Sequence, residues 1–264
     1  MSSTLFSSLT SKTAIVTGAS RGIGRATAIE LARQGVHVML AARSEGQLKV
    51  AVAEIEAAGG VAAFSVSDLR DPEAPARLVK ETVAAFGGID VVVNNAGATK
   101  RGDFLKLTEA DWADGFALKF FGAVRLIRAA WPHLKEHSGS VVNIAGVGGR
   151  TPGAEFAIGG SVNAAMLSLT KALADAGIAD GIQVNAINPG PVRTERLEVR
   201  LQALAEQKVI DLESAEAALQ RQMEVARFGE PQDIADLVAF MVSSKGRFFH
   251  GSLVDIDGGQ TKTI

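Results

Sequence analysis

The sequence predicts an α/β protein built on one doubly wound parallel sheet, and three observations carry that reading. Short β-branched runs alternate with helical patterns along most of the chain, the rhythm of strands joined by crossover helices. One strand-to-helix junction, residues 17–24, is a glycine loop of the kind that binds the phosphates of a dinucleotide. The 264 residues, 47% hydrophobic and 21% charged, suffice for one large core, with no low-complexity linker or internal repeat. A single domain over 1–264 is expected.

The elements follow in order. A first strand at 14–17 runs into Thr17-Gly18-Ala19-Ser20-Arg21-Gly22-Ile23-Gly24, which opens a helix at 23–34. That order aims free backbone N–H groups at an anion, and the helix dipole adds to the attraction. Gly18 permits the sharp exit from the strand, Gly22 lets the backbone approach a pyrophosphate, and Gly24 lets the helix pack close to the sheet. The second strand, 36–41, leads to Ala42, where an acidic residue would hold the ribose 2′-hydroxyl of NAD. Arg43 follows it and Arg21 sits in the loop, and two guanidinium groups suit a 2′-phosphate. NADP(H) is therefore expected to bind more tightly than NAD(H).

A helix at 46–58, a third strand at 61–66 ending near Asp68 and Leu69, and a helix at 72–86 come next. The fourth strand, 89–94, runs into Asn94-Asn95-Ala96-Gly97. In the long helix expected at 109–135, Trp112, Phe116, Ala123, Ile127 and Ala130 recur at helical spacing, and Lys119 lies on the same apolar stripe. Phe120, Phe121, Leu126 and Trp131 lie outside that stripe, and apolar surface of that extent predicts a homo-oligomer. A fifth strand at 140–145, a helix at 157–175 and a sixth strand at 182–187 lead to Asn188-Pro189-Gly190-Pro191-Val192-Arg193-Thr194. Residues 194–228 interrupt the rhythm with a segment rich in Leu, Ala, Glu and Gln, in which Leu197, Leu201 and Leu204 fall at helical spacing. Surface helices would explain it. A substrate lid is the preferred reading, because the segment follows a strand's C-terminal end, where ligands bind in open α/β sheets. A helix at 231–243 and a strand at 253–256 close the chain.

Composition excludes several classes. A formal charge of -2 with mixed signs gives no field for nucleic acid or a membrane surface. No stretch approaches the roughly 18 apolar residues of a membrane span, and the first residues lack the pattern of a secretory signal. Without cysteine there is no disulfide, thiolate nucleophile or Cys-ligated metal. His37, His133, His137 and His250 have no partners at metal-ligand spacing, so no metal is expected. The protein is expected to be cytoplasmic and to act on a small molecule.

Together with Arg227-Phe228-Gly229-Glu230-Pro231 and Asp257-Gly258-Gly259, these motifs resemble the classical short-chain dehydrogenase/reductase family over about residues 10–260. The resemblance implies a Rossmann-type sheet of seven strands, a nicotinamide cofactor, and a homotetramer or homodimer. It implies that Gly18, Ser20, Arg21, Gly22, Ile23 and Gly24 form the phosphate loop, and that Asp68 and Leu69 border the adenine. Asn95, Ala96 and Gly97 would line the adenine-side ribose and pyrophosphate; Pro189, Gly190, Val192 and Thr194 would hold the nicotinamide end.

The departure is equally specific, because the chain contains no tyrosine. The family works through an Asn-Ser-Tyr-Lys set: Tyr transfers the proton, Lys lowers its pKa and binds the nicotinamide ribose, Ser polarises the carbonyl, and Asn supports a relay. At the matching positions stand Lys119, Gly146, Gly159 and Asn163. Ser161, two residues from Gly159, points to a different face of its helix. Asn163 could hydrogen-bond ribose hydroxyls, and the two glycines leave space for water or a bulkier ligand. An alanine at Gly159 should be tolerated, since Ala is favoured over Gly in a helix by about 0.8–1.0 kcal/mol. Lys119 either snorkels outward or lies in a partly buried pocket, where burial would lower its pKa toward that of a general acid or base. Glu155 is the second ionisable candidate, unless it only complements the dipole of the helix it precedes. Three functions fit. The first is an NADP(H)-dependent oxidoreductase with a rebuilt proton-transfer site, acting on a small hydrophobic carbonyl or alcohol. The second is a nucleotide-binding protein without turnover, and the third a non-redox enzyme on the same fold.

Overall fold

Each strand is an apolar run flanked by turn residues, and the computed structural model, which describes residues 6–262, pairs all seven into one parallel sheet. The strands are β1 (Thr13–Thr17), β2 (His37–Ala42), β3 (Val61–Val66), β4 (Val91–Asn94), β5 (Ser140–Ile144), β6 (Gln183–Pro189) and β7 (Leu253–Ile256). Their order across the sheet is β3-β2-β1-β4-β5-β6-β7. Ala14 of β1 lies opposite Val38 of β2 on one side and Val91 of β4 on the other. The order reverses between β1 and β4. Connections leave in opposite directions there and open a crevice at the strands' C-terminal ends, the place where open α/β sheets bind ligands.

Helices bury both faces. On one, α1 (Gly22–Arg33), α2 (Glu45–Ala57) and α9 (Pro231–Val242) press Leu31, Leu48, Ile234 and Val238 against Val16 and Leu40 of the sheet. On the other, α3 (Ala74–Phe86) and α5 (Gly122–Glu136) bring Leu78, Leu126, Ile127 and Leu134 over Ile15 and Val92, and α6 (Ala157–Asp180) adds Ala174. Burial of apolar area on both faces is the main term holding such a sheet together, at about 25 cal/mol per Å².

The single helix expected at 109–135 is three pieces. A capping box between Thr108 and Asp111 starts α4 (Glu109–Gly115), a π-helical turn spans Phe116–Phe121, and α5 follows. Gly115 and Gly122 bracket the turn. A Cβ at Gly115 would lie 2.6 Å from Ile158 of α6, and one at Gly122 would lie 2.9 Å from Leu69. The helix passes so close to its neighbours that it widens by a residue between them, and π turns of this kind recur at functional sites. Lys119 sits inside it.

Two sequence expectations change here. Leu126 is fully buried in the core rather than outside the inward stripe. Trp131 is partly buried and donates its indole N–H to Asp180 Oδ2 at 2.7 Å. The exposed apolar surface of this helix is thus reduced mainly to Phe121, at 45% exposure. The inserted segment forms α7 (Glu195–Lys208) and α8 (Leu212–Met223), which close a small core of their own from Leu197, Leu201, Leu219, Val225 and Phe228. Among the described residues no helix is long and apolar enough to cross a membrane.

Candidate active site

The glycine loop is built by contacts that tolerate no side chain. Gly18 takes φ +65°, and a Cβ at Gly24 would lie 2.3 Å from the Gly18 carbonyl oxygen. Only glycine lets α1 start this close to the end of β1. Thr17 and Asn95 fasten the crevice across the reversal point. Thr17 Oγ1 accepts from the backbone N–H groups of Asn95 and Ala96, both at 3.0 Å. Asn95 Nδ2 donates back to the carbonyls of Thr17 and Gly18 at 3.0 and 3.3 Å. The Thr17 clamp was not singled out in the sequence, although a hydroxyl on the last strand residue before such a loop is its signal.

The other expected cofactor residues surround this crevice. Ser20, Arg21 and Gly22 line a cleft of about 330 Å³ whose opposite wall is Gly46, Gln47 and Val50 of α2. Ile23 packs against the core below. Arg21 pairs with Glu195 at the start of α7, and Arg43 is exposed just past β2. Asp68 Oδ1 accepts from the Arg70 backbone N–H at 3.1 Å, while Leu69 is buried. Pro189 ends β6; Gly190 passes so near the chain that a Cβ there would lie 2.7 Å from Asp257 Cα. Val192 bridges to Gly229, and the Thr194 methyl faces Gly22. The cradle fits a dinucleotide: Gly18 and Gly22 take positive φ and a methyl group at Gly24 would enter the Gly18 carbonyl, so only this glycine pattern lets the loop turn into the N-terminus of α1, where an anion binds. Gly18, Ser20, Arg21, Gly22 and Gly24 would hold its phosphates, and a bound nicotinamide dinucleotide would supply or take up the hydride.

The candidate reaction centre lies where β5 and α6 meet the π turn. Lys119 Nζ donates to the Ala145 carbonyl and to Asn163 Oδ1, both at 2.6 Å. Its stem lies against Gly97, where a Cβ would come within 2.9 Å of Lys119 Cδ. Of the two alternatives, the partly buried pocket is the one found: Lys119 is half-buried, with its amine held by both acceptors. Burial first, then the charge of Arg196, lower its pKa to about 7.

The space expected at the two glycines is filled. A Cβ at Gly146 would lie 3.0 Å from Asn163 Nδ2, so the Asn163 amide lies tightly against the position where the family's serine is expected. A Cβ at Gly159 would lie 2.1 Å from the Phe156 ring, which also covers Gly148. Phe156 thus stands where a side chain at Gly159, the position expected for the family's tyrosine, would go. It precedes Gly159 by three residues, about one helical turn, and that spacing was the available signal. Asn163 is buried and its oxygen is committed to Lys119. Ser161 is exposed. Glu155 is exposed too, its carbonyl accepting from the Gly102 N–H at 3.0 Å.

Two arginines missed in the sequence complete the surroundings. Arg196, in the first turn of α7, donates to the Gly97 carbonyl at 3.0 Å. Arg101 lies over the Phe156 ring, 4.3 Å from its centroid. The Leu197–Leu201 stripe, which suggested a lid suited to a hydrophobic substrate, is spent on α8. What α7 turns toward Gly97 is a guanidinium.

Comparison with known proteins agrees with this geometry. A family model described as enoyl-(acyl carrier protein) reductase matches residues 18–261. An uncharacterized oxidoreductase of Mycobacterium tuberculosis is 36% identical over 255 residues, covering 96% of this chain and 93% of that protein. The structure of L-sorbose reductase from Gluconobacter frateurii, complexed with NADPH and L-sorbose, superimposes with a TM-score of 0.94 at 28% identity, covering 98% of this chain and 100% of that one. A short-chain oxidoreductase from Pseudomonas aeruginosa PAO1 containing an atypical catalytic center gives a TM-score of 0.89 at 26% identity, covering 97% and 99%.

Proposed function

This chain belongs to the short-chain dehydrogenase/reductase family of oxidoreductases, and we propose that it interconverts a small carbonyl compound and its alcohol with NADP(H), using Lys119 as the proton-transfer group. One observation carries the reading: Lys119 Nζ is bonded to Asn163 Oδ1, at the position where the family's lysine is expected, and to Ala145 O, beside the one where its serine is expected. An ammonium has three N–H groups and a neutral amine has two and a lone pair. The same two acceptors therefore hold both states. With two N–H groups engaged, the protonated form has a third to give to a carbonyl oxygen, and the neutral form has its lone pair to take a proton from an alcohol. A pKa of about 7 leaves both forms populated near neutrality, the condition under which a general acid or base works best.

Asn163 positions Lys119, and the Arg196 charge keeps proton release easy. NADP(H) in preference to NAD(H) is supported by Arg21 and Arg43 around a second strand that ends without an acid, and by the NADPH held in the L-sorbose reductase structure. The atypical center of the Pseudomonas relative supports activity on this scaffold without the usual residues. Binding without turnover is favoured by Phe156, whose ring fills the tyrosine position. Nicotinamide absorbance over a panel of carbonyl, alcohol and enoyl compounds separates the two: oxidoreductase activity gives turnover with at least one carbonyl or alcohol. NADPH binding by calorimetry with no turnover across the panel would favour the second.

A further inference from the structure

Positive charge gathers between the loop after β4 and α7, and the charge of Arg196 reaches Lys119. Arg101 arrives from the loop after β4, and Arg196 and Arg200 from α7. The nearby ion pairs, Arg21–Glu195 and Arg193–Glu216, use up their own partners. Among the described residues Arg101, Arg196 and Arg200 have none: Arg101 lies on a phenyl ring, Arg196 on a backbone carbonyl, and Arg200 against the Met223 sulfur at 3.8 Å. Glu155 is the acid whose charge reaches Arg101.

The arrangement is strained electrostatically. The pKa of Arg196 is lowered by burial and then by Arg21 and Arg101; that of Arg101 is lowered by burial and then by Arg200, against the pull of Glu155. Both side chains are exposed to water, so the burial is partial and the repulsion is screened. Uncompensated, it still opposes the fold and favours any anion that enters.

Position identifies the anion's place. Arg101 is fixed on Phe156, which caps Gly159, the proton-donor position of the family. Arg196 is fixed on Gly97, which covers the Lys119 stem. Arg101 thus reaches the centre from the Phe156 side and Arg196 from the Gly97 side, while dinucleotide phosphates have the backbone N–H groups of the glycine loop. Guanidinium groups present paired N–H donors that match a planar carboxylate. We propose that Arg101 and Arg196 form a carboxylate-binding subsite, so that the substrate is a small oxo or hydroxy acid held with its carboxylate beside Lys119. This rests on the redox reading above and adds the substrate class to it.

The test titrates the full-length protein, alone and loaded with NADPH, with oxalate, its neutral counterpart oxamide, and inorganic phosphate. Wild type, Arg101→Gln, Arg196→Gln and the charge-keeping Arg101→Lys are compared by calorimetry, with thermal melts of each. Oxalate is expected to bind and oxamide not. Each Gln substitution should weaken oxalate roughly tenfold or more, the usual loss for a charge-assisted bond, while Arg101→Gln leaves NADPH affinity unchanged. Arg101→Lys should retain part of the binding. Because unpaired like charges are removed, the Gln variants should melt no lower than wild type. Equal binding of oxalate and oxamide, or oxalate binding untouched by either Gln substitution, overturns the subsite. Loss of NADPH affinity in parallel with oxalate would assign the anion to the cofactor, and arginine-dependent phosphate binding much tighter than oxalate would assign it to a phosphate ester; either result also overturns it. Failure of NADPH to bind would defeat the redox reading alone, since the titration without cofactor still decides the subsite.

Discussion

Replacing Lys119 by methionine separates an enclosed, titrating amine from an ordinary surface lysine without any knowledge of the substrate. Methionine keeps the length and flexibility of the stem and suits an apolar wall. Two changes oppose each other. Ala145 O and Asn163 Oδ1 lose donors at 2.6 Å, at about 1–3 kcal/mol for each acceptor left buried and unpaired. The penalty of enclosing the amine disappears as well. Its pKa is lowered from the model-peptide value of 10.5 to about 7. Below pH 7 the amine is protonated in both states and the folded protein bears the whole penalty, on the order of 5 kcal/mol at ~1.4 kcal/mol per pH unit. Between about pH 7 and 10.5 the unfolded chain binds the proton and the folded one does not, so stability rises with pH. Near pH 7 the two effects roughly cancel. From about pH 7 to about pH 9 the wild type should gain up to roughly 2–3 kcal/mol that the variant does not. Urea denaturation at several pH values reads this directly from the midpoints, since the slope m should be shared. Parallel stability curves for the two proteins would refute the enclosed amine and the proton-transfer role built on it.

Three further outcomes follow from particular contacts. Gly159→Ala should destabilise by about 1–3 kcal/mol through overpacking against Phe156, reversing the expectation from helix propensity; in a Phe156→Ala background the same change should become neutral or stabilising, and additive effects in a thermal double-mutant cycle would contradict the contact. Gly24→Ala should abolish NADPH binding, because its methyl group would enter the Gly18 carbonyl; calorimetry showing wild-type affinity in a folded variant would argue against the cradle. Arg43→Ala should weaken NADPH more than NADH, and equal loss of both would remove Arg43 from cofactor choice.

The fold was legible because its signals are local. Alternating apolar runs place all seven strands, and 61–66 and 253–256 agree with β3 and β7 to the residue. The glycine loop was readable for the same reason: Gly18 and Gly24 meet within one turn of chain. Lys119 could be singled out because a charge on an apolar stripe is conspicuous, but its partners could not be read. Ala145 and Asn163 lie 26 and 44 residues away, and the π turn that aims the side chain results from close approach at Gly115 and Gly122. Phe156 escaped notice because an empty position was read as space, whereas interiors fill to native density. Arg101 and Arg196 look like ordinary surface charges until the fold places one on the Phe156 ring and the other on the Gly97 carbonyl. Homo-oligomerisation, proposed from the helix carrying Phe121, has lost Leu126 and part of Trp131 as support. It now rests chiefly on the family resemblance.

The proton-transfer role of Lys119 is tested most directly by the pH dependence of kcat/KM for NADPH-driven reduction of a carbonyl substrate, in the wild type and in Lys119→Met. Reduction needs the protonated amine, so kcat/KM should fall as pH rises through about 7, and oxidation of the alcohol should rise over the same range. The variant should be slower by roughly 10²–10⁴-fold and show no break near that pH. A wild-type profile that is flat through pH 7, or a variant that keeps wild-type kcat/KM, would contradict the account.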